Sequence, residues 1–341
     1  MKYSIGYRLP CETDSMVKIC RDYGKAISNV YFSFASEQSG RLPLCSPDDS
    51  SIVEEIQISE LREIKKMGKT LTLLFNAACY GESAVSEKLK ERVFALCDKM
   101  KEEVDLDGVT TTSPFIAEII KERFGNSIKV MASVNMRIAT VRAMEQLSEM
   151  FDGYYVAKEC NRNFEMLKEL HAWCKNHGKR ISILANSGCL PFCAYQSFHD
   201  NLVAHETLSS VKDIDWSGLP SPCHRFISSK AQDEALGYFL SGTWIRPEDV
   251  GFYEPLFGEM KLATRMHMRA RSVIAAYVRG RYPGNLLDLT EPSFSSDLRG
   301  AVIDNTLMPH NFFEHVTSCN KKCDECGYCT QTARNASIKI Y

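Results

Sequence analysis

Residues 153–184 read GYYVAKECNRNFEMLKELHAWCKNHGKRISIL, and their pattern decides the fold. A short β-type run, Gly153–Val156, is followed by a helix over Asn163–His177 and a second β-type run, Ile181–Leu184. Within the helix, Phe164, Leu167, Leu170 and Cys174 recur at helical spacing, an apolar stripe suited to packing on a sheet. The same rhythm extends in both directions. Further strands read as Tyr3–Tyr7, Val30–Phe34, Leu71–Phe75, Gly108–Thr111 and Lys129–Ala132, with an eighth at Glu259–Ala263. Helices fall between them at Asp14–Lys25, Glu87–Glu103, Pro114–Phe124 and Val141–Phe151. Regular alternation of this kind predicts parallel strands joined by helical crossovers. Eight such units in ~270 residues match an α/β chain folded as a (β/α)8 TIM-like barrel. A doubly wound open sheet is the alternative, because alternation alone does not show closure.

The rhythm breaks after the seventh strand, where residues 186–244 form a long insertion containing Cys189, Cys193 and Cys223. Insertions longer than ~15 residues are usually functional or disordered. After a helix over Met266–Arg281 the chain becomes loop-rich and ends in a cysteine-dense tail. The expected organisation is a barrel over 1–281 and a C-terminal extension over 282–341.

The 341 residues are 44% hydrophobic and 25% charged, with a formal net charge of −2, so no global field attracts nucleic acid or an anionic membrane. No apolar run approaches the ~20 residues that cross a bilayer, and the N-terminus lacks the flanks of a signal peptide; a cytoplasmic location without a membrane partner is expected. Fourteen cysteines is the unusual number. In a reducing compartment they serve as metal ligands or as small core residues. Cys20, Cys97 and Cys174 sit at apolar helical positions and read as core.

In a barrel of this kind, active sites lie where strands end and the following loops begin. Those ends are polar here and include Arg8, Asn76, Asn135 with Arg137, Asn186 and Arg265. The segment ANSGCLPFC places Cys189 and Cys193 in an irregular loop directly after a strand, a spacing that lets two thiolates converge. Cys223, in SPCHRF, can complete a three-thiolate set. In the tail, Cys319, Cys323, Cys326 and Cys329 (CNKKCDECGYC) offer four thiolates within eleven residues, which suits an iron–sulfur cluster or tetrahedral zinc.

NSGCLPFC followed by a distal cysteine, then IRPEDV, FYE and KLATR ahead of a basic helix, resembles the peptidase U32 family over roughly residues 1–285. The resemblance implies a TIM barrel carrying a [4Fe–4S] cluster. It also implies oxygen-independent hydroxylation of tRNA, rRNA or ubiquinone precursors, with prephenate as oxygen donor in some members; others carry only a protease or collagenase label. Carried onto this chain, it assigns Cys189, Cys193 and Cys223 as cluster ligands. A further cysteine is expected just after the RPEDV match, where this chain has Gly251 and Phe252. Cys160, after the sixth strand, is the first candidate for the vacant ligand, with Lys158 and Arg162 expected to favour its thiolate. An open iron position or a tail cysteine is the alternative.

On this reading Arg8, Arg137 and Arg265 hold a carboxylate-rich donor, and Asn76, Asn135 and Asn186 orient the acceptor, whether small molecule, RNA or peptide. The tail suggests a second cluster, or zinc, outside the common core and an electron-transfer role. Expected partners are an electron donor and a second chain of the same family, as a homodimer or heterodimer. Peptide hydrolysis by a Cys–His pair such as Cys189 with His199 is the rival activity, although no HExxH helix or GxSxG elbow is present.

Overall fold

A computed structural model describes residues 1–35, 37–41, 44–45, 48–205, 222–295, 298 and 300–339. Its centre is a closed barrel of eight parallel strands in sequence order. The strands are β1 (Lys2–Gly6), β2 (Ile27–Phe32), β3 (Thr70–Phe75), β4 (Gly108–Thr111), β5 (Lys129–Ala132), β6 (Gly153–Tyr155), β7 (Arg180–Leu184) and β8 (Glu259–Leu262). Closure is made by β8 pairing with β1, with Lys2 opposite Glu259 and Ile5 opposite Leu262. This pairing excludes the open sheet.

The surrounding helices are α1 (Met16–Asp22), α2 (Ser50–Lys66), α3 (Glu87–Val104), α4 (Pro114–Phe124), α5 (Val141–Gln146) and α6 (Phe164–Asn176). Local chemistry starts them: Ser15, Ser86, Ser113, Thr140 and Asn163 each accept a hydrogen bond from an orphan N–H of the first turn. The stripe read in α6 is real, for Leu167, Leu170 and Cys174 are fully buried. Cys20 and Cys97 are buried core residues as well.

Strand alternation sends Tyr3, Val30, Leu71, Val109, Val130, Tyr154 and Ile183 toward the helices, all buried. The other face lines the barrel interior, and it is polar where branched aliphatics usually dominate. Asn29 donates to Ser4 Oγ at 2.7 Å and accepts from Thr70 and Thr72 at 2.9 Å each, and Tyr31 donates to the Leu262 carbonyl at 2.8 Å. Such a network is tolerable in low dielectric because its members are paired. Lys261 completes it, with its ammonium 3.9 Å from the Tyr31 ring centre and 4.8 Å from that of Tyr155.

The insertion after β7 carries α7 (Gln196–His205), α8 (Pro222–Ser228) and α9 (Gln232–Leu240); β8 is followed by α10 (Ala270–Arg279). The remaining chain forms β9 (Ala301–Ile303), α11 (Phe312–Ser318), α12 (Cys323–Cys326), α13 (Tyr328–Ala336) and β10 (Ser337–Lys339). β10 pairs antiparallel with β9, and α13 lies on α9 so closely that a Cβ on Gly237 would sit 2.2 Å from Thr330 Oγ1. The tail therefore folds back onto the insertion. Among the described residues, no helix is long and apolar enough to cross a membrane.

Candidate functional site

The loop leaving β7 begins with Asn186, whose Nδ2 donates to the carbonyls of Ala263 and Leu289 at 3.0 Å each, while its Oδ1 accepts from Ala263 N–H at 2.6 Å. Three bonds inside a fully buried side chain make it a brace rather than a substrate contact. Beyond it, Gly188 N–H donates to the Glu291 carbonyl at 3.0 Å. A Cβ on Gly188 would meet the Pro292 carbonyl oxygen at 2.1 Å, so only glycine permits this approach. Residues 290–292 thus form part of the mouth, and the boundary expected at 281 does not separate the site from the extension.

This bracing directs Cys189 and Cys193 into a cavity of about 860 Å³ at the mouth, which Cys223 of α8 also lines. Burial, and then the like charges of Cys189 and Cys193, push the Cys223 thiol up to about 11. The three thiols expected from the sequence are therefore brought together. Among the described residues, no three His, Cys, Asp or Glu side chains are arranged to hold a single metal ion. A cluster asks for a wider set than an ion does, because a cage of iron and sulfide stands between its thiolates.

Cys160 does not join them. It lies in the turn Lys158–Arg162, where Lys158 and Glu159 line the cavity and the thiol packs into the core at 2% exposure. Burial, then Glu159, pushes it up to about 12, against the expectation that Lys158 and Arg162 would ionise it. The tail cysteines do not reach the cavity lining either. Cys319 directly follows α11, Cys323 and Cys326 lie on α12 and are exposed, and Cys329 lies on α13.

The strand-end residues divide by what already occupies them. Arg8 donates to the His267 carbonyl at 2.9 Å and braces the β8–α10 loop. Arg137 is spent on α7, donating to Ser197 Oγ and the Asp200 carboxylate at 2.9 Å each. Asn76 accepts from Gly40 N–H at 2.9 Å, and only Asn135 of the three asparagines lines the cavity. Arg265 is buried and donates to Ser39 Oγ at 2.9 Å; burial pulls it down to about 10.

The structure adds residues that sequence reading missed. Arg41 and Glu291 line the cavity as an ion pair at 3.4 Å. Lys261 lies beneath them, and burial followed by the charge of Arg265 pulls it down to about 7. His267 also lines the cavity, 7% exposed; its Nδ1 accepts from Arg269 N–H at 3.0 Å, so the neutral ring carries its proton on Nε2, which faces the Asp288 backbone without a well-formed hydrogen bond. Burial lowers its basicity and favours that neutral form. Arg41 and Glu291 belong to loops far from the cysteine motifs, and no local pattern marks them. His267 and Lys261 flank or lie within the KLATR segment, which was the available signal.

No family model matches the chain. An uncharacterized protease of Methanocaldococcus jannaschii is 23% identical over 333 residues, covering 95% of this chain and 93% of that protein. The solved structure of the U32 peptidase Mk0906 superposes with a TM-score of 0.55 at 12% identity, covering 77% of this chain and 92% of that one. The structural likeness shows the shared barrel. The sequence likeness to the archaeal protease runs along nearly the whole of both chains, and the barrel is the one seen in the U32 peptidase.

Proposed function

We propose that this chain is an iron–sulfur enzyme that transfers oxygen, without O2, to a substrate held in the mouth cavity. The observation that carries the reading is the convergence of Cys189, Cys193 and Cys223 on one cavity that Arg41 also lines. Those three thiolates would hold a [4Fe–4S] cluster. With Cys160 in the core and Gly251 and Phe252 at the other expected position, no fourth thiol lines the cavity among the described residues. When bound, the cluster supplies an iron position open to an oxygen-bearing donor. The chain's own groups do the rest. Arg41, with Arg265 and Lys261 behind it, favours a carboxylate on the donor. His267 and Asn135, which line the cavity, offer an N–H and an amide to oxygens of the donor or acceptor.

Peptide hydrolysis is the second reading, because the relatives are named as protease and peptidase. Two features weigh against it. Cys223, pushed up to about 11, is the reverse of an activated nucleophile in its own right, and no single-ion ligand set for a metal-bound water is formed among the described residues. Anaerobic purification with iron, zinc and sulfide quantification separates the two. The expected result is iron with matching sulfide, lost in Cys189→Ala and in Cys193→Ala. Hydrolysis of a defined peptide panel that survives removal of all metal would overturn the oxygen-transfer reading.

A further inference from the structure

The four tail cysteines take no part in the mouth, yet their surroundings are built. Cys319, Cys323, Cys326 and Cys329 fall within eleven residues, and the backbone turns left-handed at Lys321 (φ 63°) between the first two and at Gly327 (φ 62°) directly after the third. Glycine adopts this conformation freely, whereas a lysine does so at a cost that the surrounding structure must offset. These turns bring Cys323 and Cys329 within electrostatic reach of the other tail thiols, although the side chains as they stand are not arranged to hold a single metal ion. The segment is also anchored: α13 lies on α9 through the Gly237–Thr330 contact, Arg334 pairs with Asp233, and β10 pairs with β9.

A buried cation stands beside it. Arg162 is 5% exposed, donating to the carbonyls of Leu240 at 2.8 Å and Trp244 at 3.0 Å, with the rings of Trp244 and Phe312 each 5.6 Å away. All of these partners are neutral. The groups whose charge reaches Arg162 are Tyr253, Cys329, Asp249 and Cys319, so two of the four are tail thiols. A buried guanidinium is expensive unless negative charge faces it, and Asp249, itself shared with Arg246, supplies part of that charge. Four thiolates around a divalent ion or a [4Fe–4S]2+ cluster carry a net double negative charge, which would add to it.

We propose that Cys319, Cys323, Cys326 and Cys329 form a second, self-contained four-thiolate metal site beside Arg162 that clamps the tail onto α9. Its occupant is thiophilic, either an iron–sulfur cluster or zinc. Loading draws the four sulfurs together, and the exposed positions of Cys323 and Cys326 leave room for that movement.

The test uses the full chain, purified anaerobically, with iron, zinc and sulfide measured in the wild type, in Cys189→Ser and in a Cys323→Ser/Cys326→Ser double variant. The double variant should lose one site's worth of metal that Cys189→Ser retains. Iron lost with sulfide identifies a cluster and zinc lost alone identifies a zinc site; both support the proposal. Metal content equal to the wild type in the double variant would overturn it. A second measurement needs no substitution: in the unaltered protein, mass spectrometry should show the tail thiols alkylating more than about tenfold more slowly before chelation than after. Equal rates before and after would also overturn it. Because the mouth is read through Cys189, failure there and failure at the tail are distinguishable.

Discussion

Asp249 sits in the RPEDV segment at 8% exposure, between Arg246 and Arg162. Burial outweighs both cations and pushes its carboxyl from an ordinary value of 3.8 up to about 6. At about 1.4 kcal/mol per unit, that rise means the ionised group costs the fold about 3 kcal/mol. The sign follows from linkage. A carboxyl whose folded value is raised contributes stability that is fully present below about pH 4 and is lost as pH climbs through about 6. Asp249→Asn keeps the shape and removes the charge. The variant should exceed the wild type in unfolding free energy by about 3 kcal/mol at pH 7.5, narrowing to about 1 kcal/mol at pH 4.5. Urea unfolding at several pH values, with unchanged m-values, is the assay. A variant less stable than the wild type at pH 7.5, or a difference that does not vary with pH, would refute the reasoning. The first result would show that Arg246 and Arg162 hold the carboxylate in a net-favourable ion pair, and the second that the two cations cancel the cost of burial.

Two further outcomes are expected. Asn186→Ala leaves Ala263 and Leu289 with unpaired buried groups and should cost about 3–5 kcal/mol by denaturant unfolding; a loss under about 1 kcal/mol would return Asn186 to the substrate-orienting role. Gly188→Ala places a methyl against the Pro292 carbonyl, so the barrel should keep its circular dichroism while iron content falls several-fold; normal iron would show that the cysteine loop shifts without harm.

Much of the architecture was legible because it is encoded locally. The stripe of Leu167, Leu170 and Cys174 and the short β-type runs are properties of neighbouring residues, and they appear close to where they are expected. Helix lengths were less legible. The helix expected over Val141–Phe151 ends at Gln146, where the chain turns so that Phe151 enters the core. The helix α2 was not foreseen at all, although its apolar positions Val53, Leu61 and Ile64 are buried as a face.

The cysteine spacing in NSGCLPFC and in the tail, and the eightfold rhythm of strands and helices, were therefore determined by sequence alone, since each depends on residues only a few positions apart. Closure of the barrel, the orientation of each strand-end side chain and the composition of the cavity floor depend on contacts between residues hundreds of positions apart. Lys2 meets Glu259, Arg41 meets Glu291, and Ser39 meets Arg265. Cys160 shows the difference most clearly. Successive residues of a short 3-10 turn point in different directions, which sends the Cys160 thiol into the core while Lys158 and Glu159 reach the cavity.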